Sequence, residues 1–196
     1  MSNFRDFIFN RDPSAAWSLA LAMIAVRMGE RQLLVGDDPQ LFAFLAQKAG
    51  LTGRVAVVVG NGEAGVGIEA AAARVGVLIE DVRRAALPEL PVEDGAFDVA
   101  VVNIGPSFLA LGPADQGNLA SSIYRALRSG GRLIVVEGQP PGFLGFKRPA
   151  VPGLDAFRSA GGASPLLERA GFRPVRLLAD REGQRFTEGI KTAALA

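Results

Sequence analysis

The stretch Leu90–Gly138, LPVEDGAFDVAVVNIGPSFLALGPADQGNLASSIYRALRSGGRLIVVEG, decides the fold. It opens on an acidic turn around Glu93-Asp94-Gly95 and enters Ala96–Asn103, a strand in which nearly every side chain is apolar. A strand without polar alternation has both faces covered, as in the parallel sheet of an α/β protein. Asn118–Leu127 has helical spacing, Ser129-Gly130-Gly131 reads as its stop, and Arg132–Glu137 is a second buried strand.

The same alternation extends outward. Upstream, Ser14 can cap a helix running to about Met28, with Gly29 as its end. Leu33–Val35 is a short buried strand, Gly36-Asp37-Asp38-Pro39 the turn after it, and Gln40–Ala49 a helix ending at Gly50. Val55–Val59 is an apolar strand; a Gly-rich turn, Gly60–Gly67, leads into an Ala-rich helix to about Arg74, and Val77–Ile79 begins another strand. Downstream, Pro140–Gly162 is an irregular Gly/Pro-rich excursion, and Ser164–Ala170 is a short helix. Pro174–Ala179 and Gln184–Ile190, joined by Asp180-Arg181-Glu182-Gly183, read as a hairpin. The expected organisation is a single domain, 1–196. It has a helical cap at 1–29, a core at 30–139, a Gly/Pro-rich loop at 140–163, and a C-terminal helix and hairpin at 164–193.

Composition narrows the chemistry. Lys+Arg number 21 and Asp+Glu 20, for a net charge of +1 without a basic stripe, so nucleic acid and anionic membrane surfaces are not expected partners. The chain has no Cys and no His, which removes thiolate and imidazole catalysis and ordinary zinc ligation; no metal is expected. Proton transfer would fall to Asp, Glu, Lys, Tyr or water. The long apolar run, Ala15–Val26, is shorter than the roughly 20 residues that span a bilayer. Its flank carries Arg5, Asp6, Arg11 and Asp12, unlike a signal peptide, so a cytoplasmic protein is expected. That helix is apolar on nearly every side and would be buried or would pack on a second copy, giving a homodimer.

LPVEDGAFDVAVVN (Leu90–Asn103), RALRSGGRLIVVE (Arg125–Glu137), LLERAGFRPVRLL (Leu166–Leu178) and RFTEGIK (Arg185–Lys191) together resemble class I S-adenosylmethionine-dependent methyltransferases of the small-molecule type. The resemblance covers about residues 30 to 193. It implies a three-layer Rossmann-like α/β fold with a seven-stranded, mostly parallel sheet in the order 3-2-1-4-5-7-6 and a C-terminal β-hairpin. It also implies S-adenosylmethionine as cofactor and a small molecule as methyl acceptor.

The resemblance places the cofactor at the loops after the first, second and fourth strands, and assigns Gly36, Asp37, Asp38, Asn61, Glu63 and Asn103 to it. The family carries an acid at the end of strand one and then Gly-x-Gly-x-Gly; here Leu34 holds the acid's place, Gly36 the first glycine, Asp38 the second and Gln40 the third. At the ribose-binding end of strand two stands Val59, which offers no acceptor. Asn61 or Glu63 could replace it if the strand ran two to four residues further. The adenine-contacting acid falls on Ala86.

Other residues carry two readings each. Asp37 and Asp38 either contact a cationic ligand or, for Asp38, cap the next helix ahead of Pro39. Asn103 either faces the transferring group or caps a turn. Asp94 and Asp98 read as structural, Glu137 ends a strand at the crevice, and Tyr124 and Trp17 read as packed residues. Lys147 and Arg148 could hold an anionic substrate beneath a closing loop. Gly60-x-Gly62-x-x-Gly65, with Glu80 following, also fits a dinucleotide fingerprint. Three functions therefore stand open: a methyltransferase with an altered cofactor site, a non-catalytic scaffold subunit with a protein partner, and a nucleotide-binding module through Gly60–Gly67.

Overall fold

Four apolar runs of this chain and the short polar segment Asp81–Arg84 lie side by side as parallel strands, and a hairpin closes one edge of the sheet. The computed structural model describes residues 16–60, 62–74, 76, 81–85, 87–140 and 150–193. The strands are β1 (Arg31–Val35), β2 (Arg54–Val59), β3 (Asp81–Arg84), β4 (Phe97–Ile104), β5 (Leu127–Glu137), β6 (Val175–Arg181) and β7 (Gln184–Ile190). They form one sheet in the order β3-β2-β1-β4-β5-β7-β6, with β7 antiparallel to both β5 and β6. The strand order reverses between β1 and β4, where Leu34 pairs with Val101 and Val35 with Val102.

Period-two alternation sends each strand's residues into two cores. On one face Leu33, Val35, Val58, Ala100, Val102, Leu133 and Val135 meet Leu119 and Ile123 of helix α5 (Pro113–Ala126) and Leu166 and Leu167 of helix α7 (Ala163–Arg169). On the other, Leu34, Val57, Val59, Val101, Ile134 and Val136 meet three helices. These are α1 (Ser18–Ile24), α2 (Pro39–Ala49) and α3 (Gly62–Arg74). Phe42 of α2 and Trp17 before α1 are fully buried there, and a buried aromatic of this kind stabilises by about 1.5–3 kcal/mol. Two further helices are short, α4 (Pro106–Leu109) and α6 (Leu154–Ser159).

Several boundaries differ from expectation for local physical reasons. The first helix ends at Ile24, because Ala25 turns left-handed at φ 48° and Arg132 binds the carbonyls of Ile24 and Ala25. Part of its apolar surface is buried inside the chain, at Trp17, Leu19, Ala20 and Ile24, while Leu21 and Met23 are half-buried. Helix α3 begins at Gly62, so most of the Gly60–Gly67 turn is helical. The strand expected at Val77–Ile79 is β3 at Asp81–Arg84; positions 77–80 lie outside the described residues.

Helix α5 starts at Pro113, a turn earlier than its spacing suggests, and Gly130-Gly131 lies within β5 instead of ending the helix. The chain is already extended there because Gly130 donates to the Lys191 carbonyl and Lys191 donates back to Gly131, each at 2.8 Å. The Lys191 ammonium reaches the Leu127 carbonyl at 2.7 Å and sits over the Tyr124 ring, which also packs edge-on against Phe172. Helix α6 forms within the Gly/Pro-rich segment, while Lys147 and Arg148 lie outside the described residues. The hairpin strands reach Arg181, leaving a two-residue turn in which Glu182 and Gly183 both have positive φ. That is the geometry favoured by the twist of paired strands.

Arg132 joins the end of α1 to β5 and also meets Glu30 at 3.3 Å. Replacing it (Arg132→Gln) is expected to cost about 1–3 kcal/mol through the freed carbonyls. Hydrogen exchange should accelerate in residues 19–25 and stay slow in β4 and β5. Uniform acceleration across the chain would contradict this account.

Candidate functional site

The loops leaving β1 and β4 flank the reversal of strand order, where ligands of open α/β sheets bind. Gly36 has φ +137° and lies so close to β4 that an added Cβ would stand 2.8 Å from the Asn103 carbonyl oxygen. Only glycine allows that approach. Asn103, 5% exposed, thus serves first as the wall against which the β1 loop packs.

Asp37 carries the main interaction of the crevice. Its carboxylate accepts the Ser107 backbone N–H at 3.1 Å and the Ser107 hydroxyl at 2.9 Å. Ser107 lies in the first turn of α4, whose N-cap is Gly105 and supplies no side-chain acceptor. Asp37 therefore supplies from another loop the capping oxygen that the helix lacks. Gly105 allows the fit, since a Cβ there would come within 3.2 Å of Asp37 Oδ2.

The same serine covers the end of β2. A Cβ built on Gly60 would meet the Ser107 Cβ and Oγ at 3.1 Å, with Leu87 at 3.9 Å. The side chains ending β1 and β2, namely Leu34, Val35, Val58 and Val59, are buried aliphatics. Strand β2 stops at Val59 and α3 starts at Gly62, so the longer strand that would bring Asn61 or Glu63 to the ribose position does not form. Asn61 and Ala86 lie outside the described residues.

Asp38 takes its structural role. Its carboxylate accepts the N–H groups of Gln40 at 3.1 Å and Leu41 at 3.0 Å, capping α2 ahead of Pro39. Asp37, Asp38 and Asn103 nonetheless meet at an open cleft of about 520 Å³. It is completed by Gln40, Arg74 and Gln139, among others. Sequence reasoning missed Ser107 and Arg74. Ser107 follows a Gly-Pro pair that reads as an ordinary turn, and Arg74 is brought in only by the packing of α3 on α2.

The dinucleotide fingerprint loses its acid. An acid that takes a ribose belongs at the end of the following strand, and the residue ending β3 is Arg84. Glu80 precedes that strand in the chain and lies outside the described residues. Gly67 is a packing position, since a Cβ there would approach Pro39 at 3.2 Å.

Glu137 ends β5 fully buried. Its Oε1 accepts the Ala163 N–H at 3.0 Å, and Arg158 and Arg185 stand 3.5 and 3.9 Å from its Oε2. Burial pushes its carboxyl above the ordinary range, partly offset by the Ala163 bond and by the two guanidiniums. It fastens the α6–α7 connection to the sheet. Asp98 is its counterpart at the other end of the sheet: burial raises its carboxyl, but Arg128 at 2.6 Å and the Arg31 N–H at 2.8 Å outweigh that and hold it low. Asp94 lies in the exposed turn.

Residues 44–135 match the family model described as a methyltransferase domain. Over those residues in sequence, and over most of its length in fold, the chain is similar to S-adenosylmethionine-dependent methyltransferases. A SAM-dependent methyltransferase from Aquifex aeolicus aligns with a TM-score of 0.69 at 15% identity, over 92% of this chain and 94% of that one. The cyclase SpnF aligns at 0.65 and 16% identity, over 94% and 86%. PigF, solved with SAH, aligns at 0.57 and 18% identity, over 82% and 50%. No curated protein matches the sequence. Among the described residues, no helix of this methyltransferase-fold chain is long and apolar enough to cross a membrane.

Two measurements test the site's construction. Gly36→Ala should lower stability by more than about 2 kcal/mol, because strain and overlap with the Asn103 carbonyl add together; a denaturant midpoint equal to wild type would disprove the close approach. For Glu137, a raised carboxyl in the fold means its contribution is fully present below the unfolded-state pKa. That contribution fades as pH rises through the folded value. The stability of wild type relative to Glu137→Gln should therefore decline from acid toward neutral pH, read from paired unfolding curves.

Proposed function

We propose that this chain keeps the methyltransferase scaffold while its crevice does not hold S-adenosylmethionine in the family's manner, so that it works by binding rather than by methyl transfer. The observation that carries this reading is the Asp37–Ser107 pair lying over Gly60. It brings the β1, β2 and β4 ends into contact where a nucleoside would otherwise enter.

The side chains at those ends agree with it. A bound ribose presents two hydroxyls, and each left unpaired in a buried site costs about 1–3 kcal/mol. Leu34 and Val59 cannot accept either one. The methyltransferase fold does not require methyl transfer, because chemistry is a property of the site; among the similar structures, SpnF is a [4+2]-cyclase.

A second reading is favoured by the open cleft beside the latch. Asp37, Asp38, Asn103 and Gln139 are grouped there beside Pro39, Ala70 and Pro106. In this reading the protein is a methyltransferase with displaced cofactor contacts, opened when Ser107 releases Asp37. The missing histidine does not oppose it, since displacement at a soft nucleophile can proceed by positioning alone.

Calorimetry separates the two. Titration of the full chain with S-adenosylmethionine and S-adenosylhomocysteine should give no saturable heat, and Asp37→Ala should lower stability by about 1–3 kcal/mol through the unpaired Ser107 N–H. Micromolar binding of S-adenosylhomocysteine would overturn the first reading and support the second.

A further inference from the structure

Asn103 carries a polar group that the fold leaves unused. It is 5% exposed, yet its carboxamide makes no hydrogen bond among the described residues. Leaving a buried amide unpaired is costly, so the place it lines is informative. Alternation along β4 sends Asn103 to the sheet face of Val99 and Val101, and it borders the cleft at the carboxyl edge.

Gly105, two residues further on, shows what the carboxamide faces. A Cβ built there would stand 3.5 Å from Asn103 Oδ1 and 3.2 Å from Asp37 Oδ2. A carboxamide oxygen and a carboxylate oxygen thus lie within reach of one position, which glycine keeps open to the cleft. Asp37 accepts one bond from Ser107 at each of its oxygens. A carboxylate oxygen has two lone pairs, so Oδ2 can take a further donor.

We propose that this position binds the ammonium group of a primary amine. Two acceptors close to one point call for donors between them. An alkylammonium presents three N–H bonds and the charge that a carboxylate favours. A divalent metal fits less well. Calcium and magnesium take about six or more oxygens, and no group of three or more metal-binding side chains occurs among the described residues. The cleft, of about 520 Å³, runs past Pro39, Ala70 and Pro106, which suit an alkyl chain; Asp38 and Arg74 are the other charged groups lining it. The proposal rests on the binding reading given above and names the ligand class for it.

The test titrates the full chain at neutral pH with n-butylamine and with butyltrimethylammonium, which has the same charge without N–H donors. Amide chemical shifts report binding. Butylamine should saturate with a half-point near or below about 1 mM, and the shifts should centre on Asp37, Asn103 and Gly105. The trimethylated analogue should bind at least about tenfold more weakly, as should wild-type ligand on Asn103→Ala, which keeps the Cβ that packs on Gly36. Gly105→Ala should abolish binding by filling the position; its backbone, at φ −120°, accepts alanine. If that variant does not fold, Asn103→Ala and the wild-type shift map decide the matter. No saturation by about 20 mM, equal affinity for both ammonium ions, unchanged affinity in the variants, or shifts centred elsewhere would each overturn the proposal. S-adenosylhomocysteine is titrated in parallel. Its micromolar binding would overturn the underlying reading, whereas silence from both it and butylamine would overturn the amine site alone.

Discussion

The carboxylate of Asp37 receives both the backbone N–H and the hydroxyl of Ser107, and this pair governs the carboxyl edge of the sheet. It caps a four-residue helix that has only glycine at its N-cap. It also draws the loop after β4 over the end of β2, where Gly60 leaves room for the serine. Gly36 makes the pairing possible by bringing the β1 loop against Asn103. Remove the carboxylate and a half-buried N–H loses its partner, at a cost comparable with the whole net value of several ordinary hydrogen bonds.

Carboxylates tie the chain together at both ends of the sheet. At the carboxyl edge they bond within the chain: Asp37 to Ser107, Asp38 to the first turn of α2, and Glu137 to the Ala163 N–H. At the amino edge, Asp98 serves two arginines at once, Arg31 and Arg128.

Ancestry and activity separate along the chain. The family match at residues 44–135 and the sheet order agree on the scaffold. The departures concentrate at Leu34, Asp38 and Val59, positions whose side chains pack or cap within the protein. A parallel sheet needs only continuous apolar strands and helices to cover them, so it survives the loss of polar residues at strand ends. Which ligand such a scaffold takes depends instead on particular acceptors at particular places.

How much was legible before the structure follows from the range of each interaction. The apolar runs Val55–Val59 and Phe97–Asn103, the cap at Asp38-Pro39 and the hairpin strand Gln184–Ile190 are local patterns, and burial and backbone chemistry dictate them residue by residue. Helix ends were misread where distant groups intervene: Arg132 ends α1 from 107 residues away in sequence, and Lys191 holds the strand past Gly130. The Asp37–Ser107 latch spans 70 residues. No spacing rule connects such residues, because only the register of parallel strands and the packing of loops bring their side chains within hydrogen-bonding distance. The chain's local chemistry therefore specified the scaffold, while long-range contacts determined how the loops at its carboxyl edge meet.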